Sequence, residues 1–184
     1  MTLLQLVLSF IYMATSKKEV EKLFGDFFIS RFNRQYNLDY KIYLNEDEAI
    51  KDGDIDIYAI GENVETLKLQ VKTGEPALEA FWGKRKKEGS GWVEIDVDIK
   101  KLLIQIIQNA ERKYSNKKEL ILLVGEKMQP IFDKYYANLL TKQVGNSNFK
   151  GIYLVKLPLP DGDPLYKGQV IAIKDIFGNN GKIL

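Results

Sequence analysis

The spacing of apolar and polar positions predicts a long amphipathic helix and then a strand near the start of the chain. Apolar residues recur every three or four positions from Ser16 to about Tyr36, as on the buried side of a helix. Ser16 or Thr15 is suited to cap this helix, and Asn37 is suited to end it. The buried stripe is expected to comprise Val20, Leu23, Phe24, Phe27 and Phe28. Residues 40–44 then predict a strand.

Two later segments alternate strictly between apolar and polar positions, which is the period of a half-buried strand. The turn signal at residues 61–63 separates them, so together they predict a β-hairpin. Its apolar face is expected to comprise Ile55, Ile57, Ala59, Leu67, Leu69 and Val71. Its polar face is expected to comprise Asp54, Asp56, Tyr58, Lys68, Gln70 and Lys72.

Pairing across this hairpin is expected to gather polar side chains. A five-residue turn, residues 61–65, sets Asp56 directly opposite Gln70 and Asp54 opposite Lys72. The hairpin therefore presents a carboxylate, an amide and an ammonium group together on one face.

The second half of the chain predicts further helices and strands in alternation. The continuous apolar run at residues 120–124 is typical of a central strand covered by helices on both faces. The predicted helices are residues 98–114 and 130–142, and the predicted strands are residues 119–125, 151–157 and 170–174. This order indicates an α/β protein, a three-layer α/β/α sandwich with a mixed central β-sheet.

Composition limits the chemistry more than it limits the fold. The chain has 184 residues, 45% of them hydrophobic, and no linker-like stretch divides it, so we expect one domain spanning residues 1–184. It contains no cysteine and no histidine, which excludes disulfides, zinc-finger ligands, thiol catalysis and an imidazole base. The net charge of +2 shows no overall basic excess, so any surface that binds nucleic acid must be local.

Residues 1–14 include an apolar stretch that predicts a structural helix. The stretch is shorter than the roughly 20 residues that a membrane span needs. It also lacks the basic leader of a secretory signal. We therefore expect no membrane association and, in a chain without cysteine, a cytoplasmic location. The helix is either a contact between two subunits or buried within its own domain.

A basic segment between the hairpin and the next helix is a candidate DNA-binding arm. Consecutive cations flanked by tryptophans suit phosphate binding and base stacking. The candidate residues are Trp82, Lys84, Arg85, Lys86, Lys87 and Trp92. The alternative is a solvated loop whose tryptophans pack onto the domain.

Residues 53–57 (GDIDI) and 69–73 (LQVKT) resemble the PD-(D/E)XK nuclease superfamily, which has its acidic residues and lysine on a β-hairpin preceded by a helix. The resemblance extends over about residues 16–125, and residues 126–184 add a C-terminal helix and strands. The Q-x-K form of the motif is similar to that of methylation-dependent restriction endonucleases. Holliday-junction resolvases share the arrangement but have glutamate where this chain has Gln70.

The resemblance implies a restriction-endonuclease-like fold and a metal-dependent active site. Hard cations such as Mg²⁺ or Mn²⁺ prefer oxygen ligands, and Asp56, the Gln70 side chain and the Val71 carbonyl can supply them. Lys72 can orient the attacking water or stabilise the transition state. The neutral Gln70 implies weaker metal binding than a glutamate would give.

The resemblance also implies that a glutamate from the first helix contributes to this active site. Glu21 is favoured for this role because its spacing to the predicted buried stripe sets it at the stripe's rim, and Glu19 is the alternative. Asp54 is the alternative to Asp56, but it is better suited to be a charge beside Lys72.

Three functions follow from these patterns. The leading hypothesis is a metal-dependent DNA endonuclease that hydrolyses phosphodiester bonds, acting through Asp56, Gln70, Lys72 and Glu21 as a homodimer. The second is a non-catalytic DNA-binding or assembly protein that retains the nuclease fold. The third is an unrelated α/β interaction protein whose working surface is the apolar N-terminal helix.

Overall fold

Six strands form one mixed sheet in which each strand lies beside its neighbours in sequence. The structure is a computed structural model that describes residues 17–44, 55–73, 99–126, 134–158 and 168–184. Its helices are α1 (Lys17–Tyr36), α2 (Ile99–Lys113) and α3 (Lys134–Val144). Its strands are β1 (Lys41–Leu44), β2 (Ile57–Ile60), β3 (Leu67–Thr73), β4 (Leu120–Glu126), β5 (Gly151–Lys156) and β6 (Gln169–Lys174).

Strand direction changes across the sheet. Strands β1, β2 and β3 pair antiparallel, β3, β4 and β5 pair parallel, and β6 returns antiparallel to β5. Each parallel connection contains a helix, α2 between β3 and β4 and α3 between β4 and β5. The hairpin register is the predicted one, since Ile57 pairs with Leu69 and Tyr58 with Lys68. The predicted α/β class and mixed sheet are confirmed.

Helices cover both faces of the sheet. On one face α1 packs on a cluster that includes Phe24, Phe28 and Leu69. On the other face α2 and α3 pack on a second cluster, which includes Leu103 and Leu140. Strand β4 contributes alternate side chains to both clusters, as the apolar run at residues 120–124 predicted. The described residues thus form three layers around two apolar cores.

The buried stripe of α1 differs from the predicted one. Leu23 is 47% exposed, whereas Phe32, absent from the predicted stripe, is fully buried. At about 100° per residue, Leu23 lies about 140° around the helix from Phe28, so it faces away from the sheet. Asn37 follows α1 with φ 54°, the left-handed conformation that ends a helix, as predicted.

The first strand of the hairpin begins later than its alternation predicted. Ile55 packs in the core beneath α2, whereas Ile57 and Ala59 pack beneath α1. The prediction that Ile55 shares a face with Ile57 is therefore wrong, because the chain bends at Asp56.

Several predictions concern parts of the chain outside the described residues. These are the N-terminal helix at residues 1–14, Asp54, the basic segment at residues 82–92 and the helix start at Pro130. Within the described ranges, no helix is both long and apolar enough to cross a membrane.

Candidate active site

The side chain of Asp56 takes the place of a strand partner at the bend that precedes β2. The backbone N–H of Asp56 donates to the Leu69 carbonyl at 3.0 Å, which is the last backbone bond before the bend. One residue pair further on, the N–H of Val71 donates to Asp56 Oδ2 at 2.8 Å, where a continued strand would have offered a carbonyl. The carboxylate is thereby held against β3.

Gln70 is the buried neighbour of that carboxylate. Its side chain is 2% exposed, and its Nε2 donates both to Asp56 Oδ2 and, at 3.3 Å, to the Val71 carbonyl. Its Oε1 is buried and accepts no hydrogen bond from any described residue. The amide nitrogen therefore lies between two oxygens while the amide oxygen lacks a donor, a costly arrangement for a buried group.

Glu21 approaches the site from α1, on the opposite side of the strand ends from α2. It is 7% exposed, whereas Glu19 is exposed. Helix α1 comes so close to β2 at Gly25 that an added Cβ would lie 2.4 Å from Ile57 Cδ1. Because Gly25 follows Glu21 by one helical turn and Ile57 follows Asp56, this contact brings the two carboxylates together.

Lys17 is a cation of the site that the sequence patterns did not single out. Its Nζ lies 3.1 Å from Glu21 Oε1, one turn along α1. A hydrogen bond and the charge of Glu21 raise the pKa of Lys17, and Asp56 adds to the rise. Its spacing of four residues from a candidate carboxylate was the available signal.

The protonation of Asp56 reflects this crowded setting. Burial raises the pKa of Asp56 above its ordinary value, and the negative charge of Glu21 raises it further. The Val71 N–H and the charges of Lys72 and Lys17 act in the opposite direction without cancelling the rise. Burial, more than the neighbouring charge, therefore sets the protonation of Asp56.

Lys72 extends from the same face of β3 as Gln70. Its Nζ lies 5.2 Å from the centroid of the Tyr114 ring, close enough for a cation–π interaction. Tyr114 is buried and follows the last residue of α2, whose apolar side it extends by one turn beyond Ala110. The sequence patterns missed Tyr114, although its position four residues after Ala110 was the signal.

The residues of this site offer both carboxylate and carbonyl oxygens. The described residues contain no group of three or more His, Cys, Asp or Glu side chains that could hold a metal ion. The Asp56 carboxylate contacts the amide of Gln70, and the Glu21 carboxylate acts electrostatically on Asp56. The Val71 carbonyl points to the same side of β3 as its N–H, which faces Asp56. The carboxylate and carbonyl oxygens of these residues are of the types that a hard cation prefers, although the Gln70 amide presents its nitrogen to Asp56 and Val71.

The structure brings together Asp56, Gln70, Val71, Lys72 and Glu21, which come from α1, from β3 and from the bend before β2. The proposed DNA-binding residues Trp82, Lys84, Arg85, Lys86, Lys87 and Trp92 lie outside the described residues. Comparison with protein-family models, with curated proteins and with solved structures finds no match to this chain.

Proposed function

We propose that the protein is a metal-dependent DNA endonuclease with a restriction-endonuclease-like core. The observation that supports this most is the contact between Asp56, in the bend before β2, and Gln70 on β3, with Lys72 on the same face of β3 as Gln70. The hairpin motif and the helix-borne Glu21 are the parts of the site that the superfamily resemblance implies. The order of α1, the hairpin, α2 and parallel strand β4 agrees with the same resemblance.

The residues that would hold Mg²⁺ or Mn²⁺ are Asp56, Gln70 and Val71, with Glu21 beside them. When bound, the ion would acidify a water molecule and neutralise charge on the phosphate. The charge of Glu21, which together with burial raises the pKa of Asp56, is consistent with this role, because two neighbouring carboxylates attract a cation.

Gln70 supports the proposal through the orientation of its amide. Its Nε2 now donates to the Asp56 carboxylate and the Val71 carbonyl, as a bound cation would attract both oxygens. A half-turn of the amide exchanges its nitrogen and oxygen. Gln70 can therefore donate to the Asp56 carboxylate through Nε2 or, after this half-turn, present Oε1 to a cation.

Lys72 supplies the positive charge at the reacting phosphate. Its charge already acts on Asp56, and its Nζ lies 5.2 Å from the centroid of the Tyr114 ring. An ammonium group held in this way can stabilise negative charge that develops on the phosphate, or orient the attacking water.

The test is nicking of a supercoiled plasmid with increasing Mg²⁺ or Mn²⁺. We expect cleavage by the wild type, none by Asp56→Asn or Lys72→Ala, and full cleavage by Lys41→Ala, which removes an exposed lysine at the far end of the hairpin. Circular dichroism should show that each variant is folded. Cleavage that persists in both site variants would overturn the assignment.

A non-catalytic DNA-binding protein is the second candidate. It is favoured by the neutral Gln70, whose amide donates a hydrogen bond to the Asp56 carboxylate. DNA binding by the wild type, with no nicking at any metal concentration, would identify this alternative. Sedimentation at equilibrium, run in parallel, tests the proposed homodimer.

A further inference from the structure

The candidate reactive lysine, Lys72, has a flexible side chain near the end of a strand. It lies one residue before the end of β3, pairs with Val124 of β4 and is only partly buried. A lysine ammonium group sits on a four-carbon stem with many rotamers, so the strand by itself does not fix where the charge lies. The position of Nζ therefore depends on its contacts.

The aromatic ring of Tyr114 lies against this ammonium group. The Nζ of Lys72 is 5.2 Å from the ring centroid, within the distance of a cation–π interaction. Lys72 comes from β3, whereas Tyr114 follows the last residue of α2. The Nζ of Lys113 is 5.3 Å from the same centroid, but Lys113 adjoins Tyr114 in sequence, so its approach is local. The contact with Lys72, by contrast, depends on how α2 packs on the sheet.

Tyr114 is held in the core by the packing of its ring and by its backbone. It is 2% exposed and belongs to the apolar cluster beneath α2. Its ring packs edge-on against Phe149, with the centroids 6.4 Å apart and the ring planes at 71°. Its backbone N–H donates to the Ala110 carbonyl at 3.1 Å, which continues the hydrogen bonding of α2. The fold therefore sets the position of the ring before any ligand binds.

An aromatic ring acts on a lysine differently from a carboxylate. Lys68, on the same face of β3 as Lys72, pairs with the Glu119 carboxylate at 2.6 Å, and such a partner neutralises the charge of the lysine. A ring attracts an ammonium group through its quadrupole and carries no net charge. The contact with Tyr114 therefore localises the Lys72 ammonium group without cancelling its charge.

Tyr114 also lies within electrostatic range of the α1 side of the site. A hydrogen bond and the charge of Glu21 raise the pKa of Lys17, and Asp56 and Tyr114 add smaller contributions in the same direction. Lys17 and Glu21 are on α1, whereas Tyr114 packs beneath α2. Tyr114 is therefore part of the same electrostatic cluster as the two carboxylates.

We propose that Tyr114 is a positioning residue for Lys72, and that the face of its ring holds the lysine ammonium group beside Asp56, at the phosphate that is cleaved. The inference rests on the proposed function and assigns to it a residue that the hairpin motif does not include. Tyr114 does not contact the phosphate in this arrangement. It acts through Lys72, by keeping the ammonium group in place and charged.

The first test is nuclear magnetic resonance of the metal-free full chain with isotope-labelled lysine, in which Lys72→Met identifies the Lys72 signal. Protons above an aromatic ring are shifted upfield by its ring current. We therefore expect the Lys72 Hε signal upfield of that of Lys41, an exposed lysine at the far end of the hairpin. Tyr114→Leu should abolish this shift, whereas Tyr114→Phe and Lys113→Ala should keep it. Coincident Lys72 and Lys41 Hε signals in the wild type overturn the proposal, even if no variant folds.

The second test is the rate of plasmid nicking at saturating metal. We expect Tyr114→Leu to lower kcat by about twofold to thirtyfold, the range of one cation–π interaction, with KM unchanged. Tyr114→Phe should restore kcat, because the ring is kept. Leu140→Ala removes packing from the same apolar cluster on α3 and controls for the loss of core packing. Equal kcat values for Tyr114→Leu and Leu140→Ala contradict the positioning role.

The outcomes separate this inference from the proposed function. A wild type that nicks plasmid but shows no upfield shift of Lys72 overturns the role of Tyr114 and leaves the nuclease in place. A wild type that shows the shift but nicks no plasmid at any metal concentration overturns the proposed function, and the role of Tyr114 in cleavage with it.

Discussion

The N–H of Val71 donates to the Asp56 carboxylate at 2.8 Å, so a candidate metal ligand also completes the hydrogen bonding of β3. Asp56 consequently has two roles that substitutions can separate. One role needs an acceptor oxygen at this position, and the other needs negative charge.

Asp56→Ala should lower the free energy of unfolding by about 1–3 kcal/mol, because it leaves the Val71 N–H without its acceptor. Asp56→Asn keeps an acceptor oxygen and should lose less than half of that amount. Urea unfolding followed by circular dichroism measures both. Equal stabilities for the two variants would show that the hydrogen bond contributes nothing to the fold.

The stability of the protein should depend on pH through Asp56. Burial raises its pKa above the ordinary 3.8, so the native state binds the proton more tightly than the unfolded chain does. The free energy of unfolding therefore falls as pH rises from 3.8 through the raised pKa, and Asp56→Asn lacks this fall. Denaturation at a series of pH values should show Asp56→Asn gaining stability relative to wild type across that window.

Glu111 provides the opposite case within the same protein. Burial would raise the pKa of Glu111, but hydrogen bonds from Ser147 and Asn148 outweigh it and lower the pKa. Its contribution to stability is present at neutral pH and is lost as pH falls through the lowered pKa. Glu111→Gln should therefore differ most from wild type at neutral pH and least in acid. If the difference in free energy of unfolding between wild type and Asp56→Asn, or between wild type and Glu111→Gln, does not change with pH, the environment described for that carboxyl group is wrong.

Gln70→Glu should make stability dependent on metal. Without an ion the new carboxylate faces Asp56 in place of the amide donor, so the melting temperature should fall. Mn²⁺ should then raise it by more than it raises the wild type, because binding to the native state is stronger. Gln108→Glu adds the same charge on the exposed side of α2 and is the control. If Mn²⁺ raises the melting temperature equally in wild type, Gln70→Glu and Gln108→Glu, no metal binds at this position.

Lys17→Met should strengthen metal binding. The Lys17 ammonium lies 3.1 Å from Glu21 Oε1 and opposes a second cation there. Its removal is expected to raise the Mn²⁺ affinity by up to about fivefold, the effect of one neighbouring surface charge. Lys22→Met is matched, since Lys22 forms the same type of pair with Asp26 at 2.6 Å one turn further along α1. Calorimetric titration that finds no difference between the two variants would refute the effect.

Phe24→Ala and Leu23→Ala should differ widely in stability, although the sequence pattern assigned both residues to the buried stripe. Phe24 is fully buried and its loss should cost about 3–5 kcal/mol. Leu23 is exposed, and its loss should cost less than about 1 kcal/mol. Comparable losses in urea unfolding would contradict the orientation of α1.

The hairpin was the most predictable part of the candidate site. Strict alternation and a short turn restrict two strands to one register, so the predicted facing of Asp56 and Gln70 agrees with the hydrogen bond between them. The apolar run of β4 likewise predicted a strand buried on both faces. The hairpin register and the burial of β4 depend on residues only a few positions apart, so the spacing of apolar and polar positions is enough to predict them.

Other features depended on how the layers pack. Ile55 leaves the face that alternation predicted because the Asp56 side chain, rather than the next backbone group, satisfies β3. Which side of α1 is buried was settled by the close approach of Gly25 to Ile57, which turns Glu21 inward and Leu23 outward. Neither the face of Ile55 nor the buried side of α1 could be predicted from neighbouring residues, because the periodic pattern of the sequence favours the other arrangement.

By itself the sequence determined the helices and strands, the hairpin register and the set of residue types available for chemistry, because all three follow from local spacing and composition. Only the tertiary structure decided that Glu21 acts on Asp56 and that Lys72 approaches the Tyr114 ring. The physical reason is that the members of each pair are far apart in the chain. Lys72 and Tyr114 come together when α2 packs on the sheet and Tyr114 is buried in the core beneath it.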